Sequence, residues 1–165
     1  MAGEIAGTPL IKLGLNRGRA VIDHIANVDF AILPPSEDRQ GNWFDVLIVG
    51  AGSAGLGAAD RCQQLGINYV VIDAQRPAQL IRNMTKGKPL LMEPPNEENQ
   101  TRLFCEECSK EQLLEQWEKQ IVELGIEPHI QCFETVTVCP MDVLSFDNNR
   151  NNTLFHKLTV NGQSL

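Results

Sequence analysis

The run Gly50-Ala51-Gly52-Ser53-Ala54-Gly55 constrains this chain more than any other feature of it. Three glycines at that spacing remove Cβ where a backbone must turn sharply or pack closely. The flanking residues say what kind of turn it is. Residues 45–49 (DVLIV) are a short apolar run, which suits a strand buried on both faces as in a parallel sheet. From residue 54 to residue 65 the pattern turns helical, with Leu56, Ala59 and Cys62 on one side. Gly66 stands where a C′ cap belongs. Residues 69–72 (YVVI) form a second apolar run, closed by Asp73. Strand, helix and strand within about 30 residues make a βαβ unit. Such crossovers are right-handed in nearly all cases.

The motif reads as G-x-G-x-x-G, which is weak by itself. It gains weight from the strand before it, the helix it opens and the acidic residue about 20 residues on. Each residue then has a physical task. Gly50 permits the tight turn out of the strand, Gly52 lets a pyrophosphate approach the backbone, and Gly55 lets the helix pack on the sheet. The N-terminus of the helix offers unpaired N–H groups and a partial positive charge to phosphates. The Asp73 carboxylate suits ribose hydroxyls and would repel a 2′-phosphate, which disfavours NADP at this position. The competing reading is a strand–helix turn with no ligand.

Elsewhere the pattern is uneven. Residues 9–26 recur apolar at roughly helical spacing, although Gly14 and Gly18 weaken a helix there. Residues 27–43, with Pro34-Pro35 and Gly41, read as a polar linker. Residues 74–108 show little periodicity. Ser109 and Gln112 then form an S-x-x-Q capping box that opens a helix. Its buried stripe is Leu113, Leu114, Trp117, Ile121 and Leu124, and Gly125 ends it. Residues 129–139 look strand-like. Residues 143–146 and 154–160 look like hairpin material, and Asn161-Gly162 is a type I′ turn signal. Three residues follow that turn, so the expectation is a hairpin without a returning strand and a domain truncated at its C-terminus.

The segment from Gly50 to Gly66, GAGSAGLGAADRCQQLG, resembles the N-terminal FAD fingerprint of the two-dinucleotide-binding flavoproteins. Lys86-Gly87-Lys88-Pro89 with Met92-Glu93-Pro94 is similar to a loop in thioredoxin-reductase-like proteins of the pyridine nucleotide-disulfide oxidoreductase type. The nearest branch is the bacillithiol disulfide reductase one. Residues 109–114 leading to Trp117 resemble a helix of that branch, and residues 134–137 (ETVT) resemble its third strand. The resemblance covers about residues 44–160. It implies an α/β, Rossmann-like FAD/NAD(P)-binding fold with a parallel sheet and a β-meander. It implies that Gly50, Gly52, Ser53, Ala54 and Gly55 hold the pyrophosphate of FAD, Asp73 the adenosine ribose and Val136 the adenine. It further implies a flavin-dependent oxidoreductase in which NAD(P)H reduces the flavin and electrons pass to a disulfide or another acceptor. No second G-x-G-x-x-G for NAD(P)H is present, so that part of the family pattern is missing. Residues 9–26 resemble the final helix of such flavoproteins, where a chain end passes under the flavin. The implied organisation is the end of a preceding reductase module over 1–26, a linker over 27–43 and a truncated FAD domain over 44–165. Further domains of a larger parent, or a homodimer, are the expected partners.

Two other functions stay open: an NAD-binding module, and a non-catalytic interaction module with a vestigial nucleotide site. The net charge of −7 disfavours a nucleic-acid partner. No apolar run reaches the ~18 residues of a membrane span, so no membrane association is expected. The five cysteines, an odd and scattered set, do not read as a disulfide framework and point to a cytoplasmic setting. Cys105-Glu106-Glu107-Cys108 is a C-x-x-C read first as incidental, since adjacent glutamates oppose thiolate formation. A redox pair and half a zinc site are its alternatives. In thioredoxin reductases the redox pair lies in the NADPH domain. His24, His129 and His156 are scattered and read as structural or exposed. No metal site and no catalytic residue is assigned. Lys86 and Lys88 either flank cofactor phosphates or belong to a solvated loop.

Overall fold

The structure, a computed structural model, describes residues 2, 3, 7, 9–28, 44–132, 159, 160, 163 and 164. It is a mixed α/β arrangement with a small parallel sheet. Helix α1 spans Ile11–Val28 and is followed by β1 (Val46–Val49), α2 (Ser53–Leu65) and β2 (Tyr69–Asp73). A stretch with little regular structure carries α3 (Gln79–Arg82), β3 (Pro89–Leu90) and β4 (Cys108–Ser109). Helix α4 (Lys110–Glu123), a 3-10 turn at Glu127–His129 and β5 (Ile130–Cys132) complete the main body. Strand β2 lies between β1 and β5, parallel to both, with Val46 opposite Tyr69 and Val71 opposite Ile130. The βαβ unit is therefore present as β1-α2-β2.

Local chemistry explains the boundaries. Gly66 ends α2 in the left-handed region at φ 67°, and its neighbour Ile67 returns an N–H to the Cys62 carbonyl. The capping box of α4 is formed: Gln112 N–H donates to Ser109 Oγ, and Ser109 N–H donates to Gln112 Oε1. The α4 stripe buries Leu113, Trp117 and Ile121, with Leu114 and Leu124 half-buried beside them. Trp117 Nε1–H donates to the Phe104 carbonyl at 2.8 Å, so the indole is buried without an orphaned donor.

Two expectations need correction. Strand β1 was expected to be buried on both faces. Only Val46 and Ile48 are, because they face the core shared with Leu15 and Leu56, while Val49 is 73% exposed. The continuous cover belongs to β2, where Tyr69, Val70 and Val71 are all buried. A returning strand also follows Asn161-Gly162, against the expectation of none. Strand β6 (Thr159–Val160) pairs antiparallel with β7 (Gln163–Ser164). Two residues are too few to show strand alternation in a sequence, which is why the pattern missed it. The linker expected over 27–43 starts later than that, since α1 runs on through Val28; its residues 29–43, the strand residues 133–139 and the hairpin material at 143–146 and 154–158 lie outside the described residues, as does any β-meander built from them.

Helix α1 packs across α2 at very short range. A Cβ on Gly18 would stand 1.9 Å from the Ala54 carbonyl oxygen, and one on Gly57 would stand 2.3 Å from the Leu15 carbonyl oxygen. Small residues on both helices let the two backbones touch. The opposite side of α1 holds the loop at 94–100. Lys12 Nζ–H donates to the Pro94 carbonyl, Asn16 Nδ2–H to the Glu98 carbonyl and Arg19 to the Gln100 carbonyl, at 2.8–2.9 Å. That loop is also tied to α2, where fully buried Asp60 accepts from Arg102 Nε at 2.7 Å and from Gln64 Nε2 at 2.8 Å. An irregular segment is thus fixed by side chains rather than by a backbone ladder.

Candidate functional site

The fingerprint turn begins where β1 ends. Gly50 N–H donates to the Ile72 carbonyl at 2.7 Å, which continues the β1–β2 pairing by one residue. Its φ of +98° then swings the chain out of the sheet, a conformation that L side chains rarely adopt. Ala51 is fully buried, and its carbonyl accepts from Ala78 N–H at 2.9 Å. Gly52 is the N-cap of α2, is exposed, and would offer an added Cβ nothing within 4 Å. Gly55 is the reverse case. A Cβ there would lie 1.8 Å from the Gly50 carbonyl oxygen and 3.4 Å from Ile48. The turn therefore closes onto the helix only with glycine at 55, while the surface over Gly52 stays open.

Asp73 ends β2 and reaches back to this turn. Its Oδ2 accepts from Ala51 N–H at 2.6 Å, and its Oδ1 accepts from Gln75 N–H at 2.9 Å. One carboxylate thus braces the fingerprint turn and the turn that follows β2. Each oxygen keeps further acceptor capacity. The first turn of α2 contains no acidic side chain and its N-cap makes no side-chain hydrogen bond. The positive end of the helix dipole is consequently not neutralised by a carboxylate from the helix itself. Gly50, Gly52, Ser53, Ala54, Gly55 and Asp73 are brought together at one end of the sheet. Val136 lies outside the described residues.

Sequence reasoning missed part of what supports this turn. Ser53 and Ala54 lie against α1, where a Cβ on Gly14 would come within 2.3 Å of Ser53 Oγ. The signal was present as small residues at i, i+4 spacing, Gly14 and Gly18, but it was read as helix weakness. Ala78, buried and left-handed at φ 58°, joins the support through its bond to Ala51, and no pattern in the sequence announces it. Lys86 and Lys88 are exposed on a loop pinned to α4, where Gly87 N–H donates to the Glu111 carboxylate and Lys110 N–H to the Lys88 carbonyl. The hydrogen bond from Gly87 N–H holds the Glu111 carboxyl below its usual value.

The other candidates divide by environment. Cys62, Cys105 and Cys108 are free thiols. Burial pushes Cys62 up to about 12, with Asp45 adding to it. Burial pushes Cys105 up to about 11, and raises Cys108 as well. His129 stacks on Tyr69 with ring centroids 4.5 Å apart, and its Nδ1 lies 3.1 Å from the Tyr69 carbonyl oxygen, a structural placement. His24 is exposed, and His156 lies outside the described residues. Among the described residues no group of three or more His, Cys, Asp or Glu could hold a metal ion. No described helix is long and apolar enough to cross a membrane.

Comparison with known proteins finds no matching protein-family model, no matching curated protein and no matching solved structure.

Proposed function

We propose that this chain is the FAD-binding part of an NAD(P)H-dependent flavin oxidoreductase, built on a Rossmann-like fold. One observation carries the reading. At the turn between β1 and α2, Gly50 is left-handed, Gly55 is closed against backbone, and Gly52 faces open space. That asymmetry suits a pyrophosphate lying over Gly52 at the helix N-terminus. The residues present fit the group. Backbone amides of Gly52, Ser53, Ala54 and Gly55 would hold the diphosphate, and Asp73 would add ribose hydroxyls to the two amides it already holds. Val136 is assigned to the adenine on the family resemblance. Bound flavin would supply the electron-transfer chemistry, with NAD(P)H as co-substrate and a disulfide or other acceptor as electron sink. The chain's own part is to bind and orient.

The same proposal reads residues 1–26 as the end of a preceding reductase module. The setting is read as cytoplasmic. One observation favours the vestigial interaction module instead: both Asp73 oxygens already hold backbone amides, so the turn keeps its shape with no nucleotide.

The test is gel filtration of the purified chain after incubation with FAD, and separately with NAD. Flavin absorbance that travels with the protein supports the proposal. Retention of NAD alone would make it an NAD module. A folded chain that retains neither supports the interaction module.

A further inference from the structure

The nucleotide reading leaves Cys105-Glu106-Glu107-Cys108 unused, and the structure places both thiols on one surface. Leu90 and Met92 are both buried in the core, and Cys105 and Cys108 both pack against that core. Cys108 stands opposite Leu90 in the antiparallel β3–β4 pair, so the two side chains lie on the same side of it. Cys105 Sγ lies 3.5 Å from Met92 Sδ, on the same short stretch. Glu106 and Glu107 form the bend between the two cysteines. Cys108 also precedes the Ser109 N-cap of the 14-residue α4. Both thiols are half-buried, in contrast to sealed Cys62.

We propose that Cys105 and Cys108 form a dithiol–disulfide couple that exchanges with low-molecular-weight disulfides, with Cys108 as the attacking thiol and Cys105 as the resolving one. The Cys108 thiol gives its proton to solvent, and its thiolate attacks one sulfur of a disulfide RSSR. The RS–SR bond breaks, and the departing thiolate is protonated to RSH. Cys105 then loses its proton and attacks the Cys108 sulfur of the mixed disulfide, releasing the second RSH. Two cysteine thiols are oxidised to one disulfide, and RSSR is reduced to two thiols.

The roles follow from the surroundings. Burial raises the Cys108 thiol, the Leu113 amide opposes that rise and the Glu106 carboxylate adds to it. Burial pushes the Cys105 thiol up to about 11, with Lys12 favouring its thiolate and ionised Cys108 opposing it. Both thiols sit above their ordinary values, so exchange quickens as pH rises. The couple uses no flavin, and its failure would leave the nucleotide site untouched.

The test treats the reduced full chain with oxidised glutathione at mildly alkaline pH, quenches with acid and maps tryptic peptides by mass. Peptide 103–110 holds both cysteines. In the native chain it should lose two hydrogens and carry no glutathione. Cys105→Ser should trap glutathione on Cys108, and Cys108→Ser should react about tenfold more slowly, at Cys105. Native circular dichroism qualifies each variant. Should a variant unfold, the mapping of the native chain decides alone. Glutathione left on both cysteines with no internal disulfide, or equal rates in the two folded variants, would overturn the couple.

Discussion

Gly18 and Gly52 flank the same first turn of α2, one on the side of α1 and one on the open side. A Cβ at Gly18 would stand 1.9 Å from a backbone oxygen, whereas at Gly52 it would meet nothing within 4 Å. The helix crossing has already filled its space with backbone. The fingerprint turn keeps its space clear although Gly55, three residues further, is as tightly closed as the crossing. Glycine therefore serves two purposes around one helix end. At 14, 18, 55 and 57 it allows elements of the chain to touch, and at 52 it leaves the surface open.

That contrast can be broken at its closed side first. Gly18→Ala forces a methyl into the Ala54 carbonyl, and overpacking of this kind should cost about 3 kcal/mol, read as a lower urea midpoint. An unchanged midpoint would mean that α1 does not dock as described. Asp60→Ala comes next. It removes a fully buried carboxylate and strands the loop bonds of Arg102 and the Gln64 bond within α2, but Arg102 is itself 43% exposed. The expected loss is about 2 kcal/mol, below the range for a pair buried on both sides. Asp73→Ala frees the Ala51 and Gln75 amides and should cost about 1–2 kcal/mol in the same assay.

Alkaline titration sharpens the account of the core under α2. The fold keeps the Cys62 thiol neutral to about 12, above the ~8.5 of an unfolded thiol. Its contribution is complete below the unfolded value and is lost as pH rises from there toward the folded one. Stability plotted against pH should therefore fall above the ordinary thiol range, and less so in Cys62→Ala. Equal slopes would show that Cys62 ionises as easily folded as unfolded. The smallest effect belongs to the open side, where Gly52→Ala should leave stability within about 0.5 kcal/mol.

The sequence showed the β1-α2-β2 unit, the Gly66 stop, the α4 capping box and the turn residues at 50–55, because each rests on contacts local in the chain. The close approach of α1 to α2 was hidden for a physical reason. Helix propensity counts Gly14 and Gly18 as losses, and only a partner backbone at contact distance turns them into requirements. The bracing role of Asp73 was half legible. Its position after β2 marked it for ribose, but its bonds to Ala51 and Gln75 depend on how two turns meet in space. The loop at 94–104 looked structureless, and its order comes from side chains of α1, α2 and α4 that are distant in sequence.

The central claim is that the space over Gly52 receives the diphosphate of FAD. Equilibrium dialysis of FAD against the native chain and Gly52→Trp tests it most directly, with urea unfolding of both as control. The account predicts that the native chain retains flavin and that Gly52→Trp, equally stable, retains none. Equal retention by both proteins would place any flavin elsewhere, and no retention by a folded native chain would contradict the claim outright.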